Sequence, residues 1–293
     1  MVPFNCNGTA TLNATDFQFV CDVVRQRSAI VLDGEKAYLA DSRLTPVARS
    51  LGYPSADEFI LDARRSRSPR LIQSMVEAMT TNETSFFRDA HPFEILRTHV
   101  LPSLINRRSG ERRLAIWSNA CSSGQEIYSI AIILEEHFPE LRDWNVRLIA
   151  SDLSTRVLNQ AREGLYNQTE INRGVPPTML TKYFQRRGQH WQVSEHLRRK
   201  VEFRSLNLIE PFPMLPAMDV VFLRNVLIYF SMETKRDILR RVDAVMSEDG
   251  FLFFGGGESM VNLNTRFTPL RTNSGIVYTR RPDCGNPLGR PGG

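Results

Sequence analysis

Residues 114–129 read LAIWSNACSSGQEIYS, and this stretch decides the fold. A short apolar run, LAIW (114–117), leads into the small and turn-forming residues Asn119 to Gly124. A helical pattern then runs through Ile127–Phe138, with Gln125 and Glu126 in its first turn. The same texture repeats downstream. VRLIA (146–150) precedes a helix from Ser154, DVVFL (219–223) precedes a helix from Glu233, and FLFF (251–254) precedes a last strand near Ile276–Tyr278. Strand–helix alternation of this kind predicts an α/β fold, a parallel sheet covered on both faces. Between the second and third units, KYFQRRGQHWQVSEHLRRKVEFRS (182–205) alternates weakly around one turn glycine, Gly188, and predicts a small β insertion.

Upstream the pattern is helical from Asp16 to about Met79. Phe17, Val20, Val23 and Val24 share one face at i, i+3, i+4 spacing. Tyr38–Leu51 and Ala56–Ala63 look similar, with Gly34, Gly52 and Pro54 as punctuation. The expected organisation is a flexible N-terminus at 1–14, an all-helical domain at 15–79 and a linker and motif segment at 80–112. The α/β domain follows at 113–280, with its insertion at about 182–205, and a disordered Pro/Gly-rich tail closes the chain at 281–293. The helical domain carries DARRSRSPR (62–70), four arginines against one aspartate. It reads as a solvated loop or as a landing site for an acidic surface through Arg64, Arg65, Arg67 and Arg70.

Composition narrows the classes. With 42% hydrophobic and 24% charged residues over 293 positions, fibrous and wholly disordered chains are excluded. The net charge of +5 suits an acidic protein, an anionic ligand or nucleic acid alike. Cys6, Cys21, Cys121 and Cys284 have neither metal-ligand nor CxxC spacing, so reduced thiols in a cytoplasmic protein are expected. The histidines His91, His99, His137, His190 and His196 form no HExxH pair, so no metal is expected. The N-terminal residues lack the basic and apolar regions of a signal peptide, and no apolar run approaches the roughly 20 residues of a membrane span. The sequons at Asn7 and Asn13 then read as chance.

The loop after the first strand lacks GxGxxG, although its small residues let a ligand approach the backbone closely. Glu126 is either a structural acid at a helix N-terminus or a partner for a cationic ligand group. Asp152, at the tip of the second strand, either holds a ribose diol or caps the next helix. Two carboxylates at adjacent strand ends, without a phosphate cradle, suggest a positively charged nucleoside. S-adenosylmethionine is such a ligand.

MTTNETSFFRD (79–89), WSNACSSGQEIYS (117–129), SDLS (151–154), NL (207–208) and RNVLIYF (224–230) together resemble the CheR family. These are chemotaxis methyltransferases that form methyl esters on receptor glutamates. The resemblance covers nearly all of 16–280. It implies a helical domain joined to a Rossmann-like methyltransferase domain with a small β subdomain. By resemblance, Asn82, Thr84 and Arg88 close over the cofactor, with Ala120 in the cofactor loop. Glu126 faces the methionyl amino group, Asp152 holds the ribose, and Asn207 and Leu208 sit by the adenine. Arg224, Asn225 and Tyr229 line the reacting end. Where the family loop commonly reads Thr-Gly-Glu-Glu-Pro, this chain has Ser123-Gly124-Gln125-Glu126-Ile127, which leaves Glu126 as the acid for the amino group.

The implied partner is the cytoplasmic helical domain of a chemoreceptor, with no nucleic acid and no membrane insertion. A glutamate is ionised at pH 7, since its unperturbed pKa is about 4.3, so no general base is required. Arg88, Arg224 and Tyr229 are the candidates for holding it, as a guanidinium fork or one phenolic hydrogen bond steers a carboxylate. An arginine after the fourth strand disfavours an amine substrate, and Cys121 in the cofactor loop is discounted as a nucleophile. On this view Arg224→Ala abolishes ester formation and largely keeps cofactor binding. A noncatalytic nucleoside-binding module that docks receptors is the alternative. The turn Arg187–His190 has one glycine, so no strong binding of a C-terminal receptor pentapeptide is expected. A monomer is expected.

Overall fold

A computed structural model describes residues 12–32, 37–258, 260, 263 and 265–280. The tail at 281–293, the first eleven residues of the N-terminal segment, Gly34, Cys6 and Cys284 lie outside the described residues. The chain divides into two compact units. One runs to Thr81 and takes in Tyr229–Ser231; the other begins at Asn82 and holds the remainder.

Among the described residues the first unit has four helices, α1 (Ala14–Ser28), α2 (Ala37–Ser50), α3 (Ala56–Ser66) and α4 (Pro69–Met79). Three of these starts have a local cause. Asn13 Oδ1 accepts the Asp16 N–H at 2.9 Å at the head of α1, and Ser55 Oγ accepts the Glu58 N–H at 3.2 Å at the head of α3. Such caps satisfy N–H groups that have no partner within the helix. Pro69 opens α4, where its missing N–H removes no helical bond. Of the predicted stripe, Val20, Val23 and Val24 are buried with Leu44 of α2, Phe59 of α3 and Met75 of α4, while Phe17 is half-buried.

DARRSRSPR is not a solvated loop. Residues 62–66 complete α3, and Pro69 and Arg70 begin α4. Arg64 and Arg65 sit in the last turn of α3, where cations complement the helix dipole. Arg64 pairs with Asp16 and lies over the Phe19 ring, 5.3 Å from its centroid. Arg65, Arg67 and Arg70 are exposed.

The second unit starts with the segment 82–90 and a continuous helical run. α5 (His91–Ile95) passes through a wider turn at Leu96–Val100 into α6 (Leu101–Arg107). Much of the expected linker is therefore helix. The strands and helices that follow are β1 (Arg113–Asn119), α7 (Gln125–His137), β2 (Asn145–Asp152), α8 (Thr155–Glu163), β3 (Leu165–Asn167), α9 (Gln168–Asn172), α10 (Pro177–Tyr183), β4 (Phe184–Arg187), β5 (His190–Val193), α11 (Glu195–Arg198), β6 (Val201–Ser205), β7 (Met218–Leu223), α12 (Met232–Val245), β8 (Met246–Phe254), β9 (Phe267–Thr272) and β10 (Gly275–Arg280).

A seven-stranded sheet has the order β6-β2-β1-β7-β8-β10-β9. Its first five strands are parallel, and β10 runs antiparallel to both neighbours. Strand order reverses beside β1, and open α/β sheets bind ligands at such a point, beyond the carboxyl ends of their strands. The ends are level there: Asn119 is in register with Ser151 on one side and Leu223 on the other. β7 is buried along its whole length, which is why VVFL (220–223) is an unbroken apolar run. Its one acid, Asp219, accepts the Ala115 N–H at 2.8 Å and the Ser247 hydroxyl at 2.8 Å, and pairs with Arg108. This carboxylate ties β7 to β1 and β8.

Two boundaries differ from expectation. The small sheet is β3-β5-β4, so it recruits Leu165–Asn167, while Val201–Ser205 leaves it to become the edge strand β6 of the main sheet. β9 was not expected: FTPLRT (267–272) is partly exposed, contains Pro269 and lacks a sustained apolar run.

Candidate active site

The crevice beyond β1, β2 and β7 is built from the loop 120–124, the ends of β2 and β6, the segment 82–90 and the residues after β7. The loop turns sharply, with φ of 47° at Ala120, 51° at Ser122 and 92° at Gly124. Gly124 is the residue before α7. A side chain there would be strained by φ, and its Cβ would lie 2.9 Å from Ala161 Cβ. Three of the loop's N–H groups are engaged within the chain: Cys121 donates to Ser151 O, Ser122 to Asp152 Oδ2, and Gly124 to Cys121 O.

Asp152 is buried and accepts the Ser122 N–H at 2.8 Å and the Ser154 N–H at 2.9 Å. The N-cap residue of α8 is Ser154, its hydroxyl accepting the Val157 N–H. Leu206 N donates to Asp152 O, which joins the ends of β6 and β2 and brings Asn207 and Leu208 to this edge. The Asn207 amide is hydrogen-bonded to Glu210, and Leu208 is buried, its carbonyl accepting from Arg241.

Glu126 lies in the first turn of α7. Its Oε1 accepts from Ser118 Oγ at 2.8 Å, and its Oε2 accepts from Arg224 Nη1 at 2.8 Å. Gln125 is buried and takes a hydrogen bond from Ser123 Oγ at 2.9 Å. A neutral amide is cheap at such a position, whereas a buried carboxylate needs a counter-charge.

Arg224 is the hub. Its side chain is 2% exposed. Nη1 holds Glu126, while Nη2 donates to Asp89 Oδ2 at 2.7 Å and to Arg88 O at 2.9 Å. Its Nε is buried without a hydrogen-bond partner. The guanidinium therefore bridges the acid at the head of α7 and the segment 88–89. That segment is strained, with positive φ at Phe87, Asp89 and Ala90. Phe86 anchors it, buried edge-on against Tyr166 and Phe184, and Phe87 N donates to Ser129 Oγ of α7 at 3.0 Å. Asn82 O accepts from Ser122 Oγ at 2.8 Å, which lays the segment over the loop. Thr84 is half-buried beside it. Arg88 turns back to its own segment, donating to Glu83 O at 2.9 Å.

Asn225 follows with φ of 56°, and its N–H donates to Glu258 Oε2 at 2.8 Å. Tyr229 is half-buried, closes a short turn at Leu227–Tyr229 and groups with the helical unit, as do Arg64, Arg65, Arg67 and Arg70. Burial pushes the Cys121 thiol well above its ordinary pKa, and the Asp152 and Glu126 charges add to the effect. It is therefore a poor nucleophile.

Asp89, Ser118, Ser129 and Glu258 contribute to this arrangement without having been singled out in the sequence. Asp89 ends the quoted string MTTNETSFFRD, and Glu258 follows a run of three glycines at 255–257; those were the available signals. Among the described residues, no group of His, Cys, Asp or Glu is placed to hold a metal, and no helix is long and apolar enough to cross a membrane.

Comparison with known proteins matches this division of the chain. The family model described as CheR methyltransferase, SAM binding domain, covers residues 82–276, and CheR methyltransferase, all-alpha domain, covers 15–80. The chain is 40% identical over 268 residues to chemotaxis protein methyltransferase 1 of Pseudomonas aeruginosa, spanning 90% of this chain and 97% of that one. A chemotaxis protein methyltransferase of Pseudomonas putida is 37% identical over 268 residues, with 90% and 97% covered. One from Salmonella typhimurium is 37% identical over 262 residues, with 88% of each covered.

Proposed function

The chain belongs to the CheR methyltransferase family, and on that premise we propose how its residues divide the work of forming methyl esters on chemoreceptor glutamates. It is an S-adenosylmethionine-dependent methyltransferase. One observation carries the assignment of the crevice: its walls bear Asp152 and Glu126, while three N–H groups of its loop, those of Cys121, Ser122 and Gly124, are spent within the chain. Such a lining fits a nucleoside with cations and no phosphates.

In this reading Asp152 accepts from the ribose hydroxyls, and Asn207 and Leu208 flank the base. Ala120 permits close approach of the loop, and Asn82, Thr84 and Arg88 cover the site. Glu126 accepts from the methionyl amino group. The Arg224 guanidinium lies between Glu126 and Asp89. Two carboxylates against one cation leave a formal negative charge, which favours a net positive ligand.

S-adenosylmethionine, when bound, supplies a methyl group on a sulfonium. The acceptor glutamate is already anionic, so the chain needs to orient rather than deprotonate it. One carboxylate oxygen bonds to the methyl carbon as the carbon–sulfur bond breaks, and the electron pair stays on sulfur. Orientation of this kind supplies ~7–11 kcal/mol in well-aligned systems. Arg88, Arg224, Asn225 and Tyr229 are assigned to the acceptor end. Arg224 does so by holding the segment 88–89, since its Nη1 and Nη2 are engaged within the chain.

Arg65, Arg67 and Arg70, with Arg64, suit an acidic helical surface on a receptor, and the reaction is assigned to the cytoplasm. The β4–β5 turn, with Gly188 as its one glycine, suits no strong hold on a receptor-tail pentapeptide. Micromolar binding of such a peptide in calorimetry would overturn that point. The deciding experiment mixes the protein, methyl-labelled S-adenosylmethionine and receptor fragments, then applies mild alkali. Methyl esters release labelled methanol. Label that survives alkali would refute ester formation.

A further inference from the structure

Glu258 lies beyond β8, after Gly255, Gly256 and Gly257. Its carboxylate points back at the chain that leaves β7. Oε2 accepts the N–H of Asn225 at 2.8 Å, and Oε1 accepts those of Val226 at 2.9 Å and Leu227 at 2.7 Å. The fourth donor is Gly255 N, at 2.8 Å to Oε2. Consecutive N–H groups that converge on one point form an anion nest, and a left-handed residue gives the backbone that shape. Asn225, with φ of 56°, is that residue. The chain's own carboxylate occupies the nest.

Two features show that this is a built junction. An ionised carboxylate has about four acceptor sites, and four backbone donors fill them, so Glu258 has none to offer a ligand. The approach is also close enough to exclude a side chain at Gly255. A Cβ there would stand 2.6 Å from Asn225 Nδ2 and 2.9 Å from Asn225 N. The end of β8 is thereby fastened to the residues after β7, at the carboxyl edge of the sheet where strand order places the crevice.

We infer that Glu258 is a positioning residue for methyl transfer, its carboxylate holding the Asn225–Leu227 backbone so that Asn225 meets the acceptor end. The inference rests on the methyl-transfer reading above. Arg224 does not depend on this junction, because its guanidinium is held by Glu126, Asp89 and Arg88 O. Cofactor binding and turnover therefore separate when Glu258 changes.

The test uses the full chain. In Glu258→Gln an amide NH2 replaces one oxygen and faces backbone donors. Turnover with receptor fragments is expected to fall on the order of 10²-fold, the scale of a small misplacement of reacting groups. The Kd for S-adenosylhomocysteine should stay within about threefold, because uniform binding is untouched. Glu258→Gly should regain part of its turnover when acetate refills the nest. Turnover within about threefold of the unsubstituted protein overturns the inference. So does parallel loss of cofactor affinity, turnover and thermal midpoint without acetate rescue, which marks a general folding defect. If the unsubstituted protein makes no ester, the methyl-transfer reading fails and the inference falls with it.

Discussion

Replacing Arg224 by methionine removes one charge from a site built around it. The Arg224 side chain is 2% exposed and that of its partner Glu126 is 12% exposed, so both charges sit largely out of water. Breaking a buried pair by deleting one member costs about 3–5 kcal/mol, mostly because the remaining charge is stranded. The Asp89 contact adds little, roughly 0–1 kcal/mol, as its side chain is 37% exposed. Arg224→Met should therefore lower the stability of the α/β unit by about 3–5 kcal/mol, within the ~5–15 kcal/mol that domains possess. Glu126→Gln in the same chain removes the stranded charge. The double variant should recover much of the loss, with a coupling energy of about 2–3 kcal/mol.

Urea denaturation followed by tryptophan fluorescence reads this directly. Trp117, Trp144 and Trp191 all lie in the α/β unit, so the signal follows that unit alone. A coupling energy under about 0.5 kcal/mol would refute the reasoning, since independent sites add to that accuracy. The same pairing alters the sequence-based expectation for Arg224. Its loss removes the contact that fixes Glu126 Oε2, and the lost positioning should weaken cofactor affinity together with ester formation despite the added negative charge.

Three further outcomes are expected. Cys121→Ala should keep methyl transfer within about threefold, since burial holds the thiol protonated; a loss on the order of 10²-fold would reinstate a thiol step. Gly124→Ala, strained at φ 92° and crowding Ala161, should cost about 1–3 kcal/mol in urea denaturation and weaken S-adenosylhomocysteine binding in calorimetry. Burial alone would raise the Asp249 carboxyl, but the Arg108 hydrogen bond and the charges of Arg107 and Arg108 hold it below its ordinary 3.8. Between the folded value and 3.8 the unfolded chain binds more protons, so this contribution is full above that window and is lost as pH falls through it. Asp249→Asn should flatten the acid limb of the stability profile measured by urea midpoints.

Which parts of the molecule were legible depends on how far each cause reaches along the chain. The parallel strands were readable because burial on both faces makes them continuous apolar runs, as in VVFL (220–223). Helix starts at Asn13, Ser55 and Ser154 are set by residues within three positions. The short β3 and the proline-containing β9 lacked such a signal, since their pairing partners supply the order. Glu126 and Asp152 stood out because they end a predicted strand or begin the helix after one.

What sequence alone determined is the alternation of strands and helices, the helical domain ahead of it, and the two acids at the crevice, because local patterning and strand ends suffice for each. Tertiary structure decided their partners. Arg224 lies 98 residues from Glu126 and 135 from Asp89, and Glu258 lies 33 from Asn225. Only the sheet order, with β7 between β1 and β8, brings those chain segments to one edge, and hydrogen bonding there acts over a few ångströms regardless of separation along the chain.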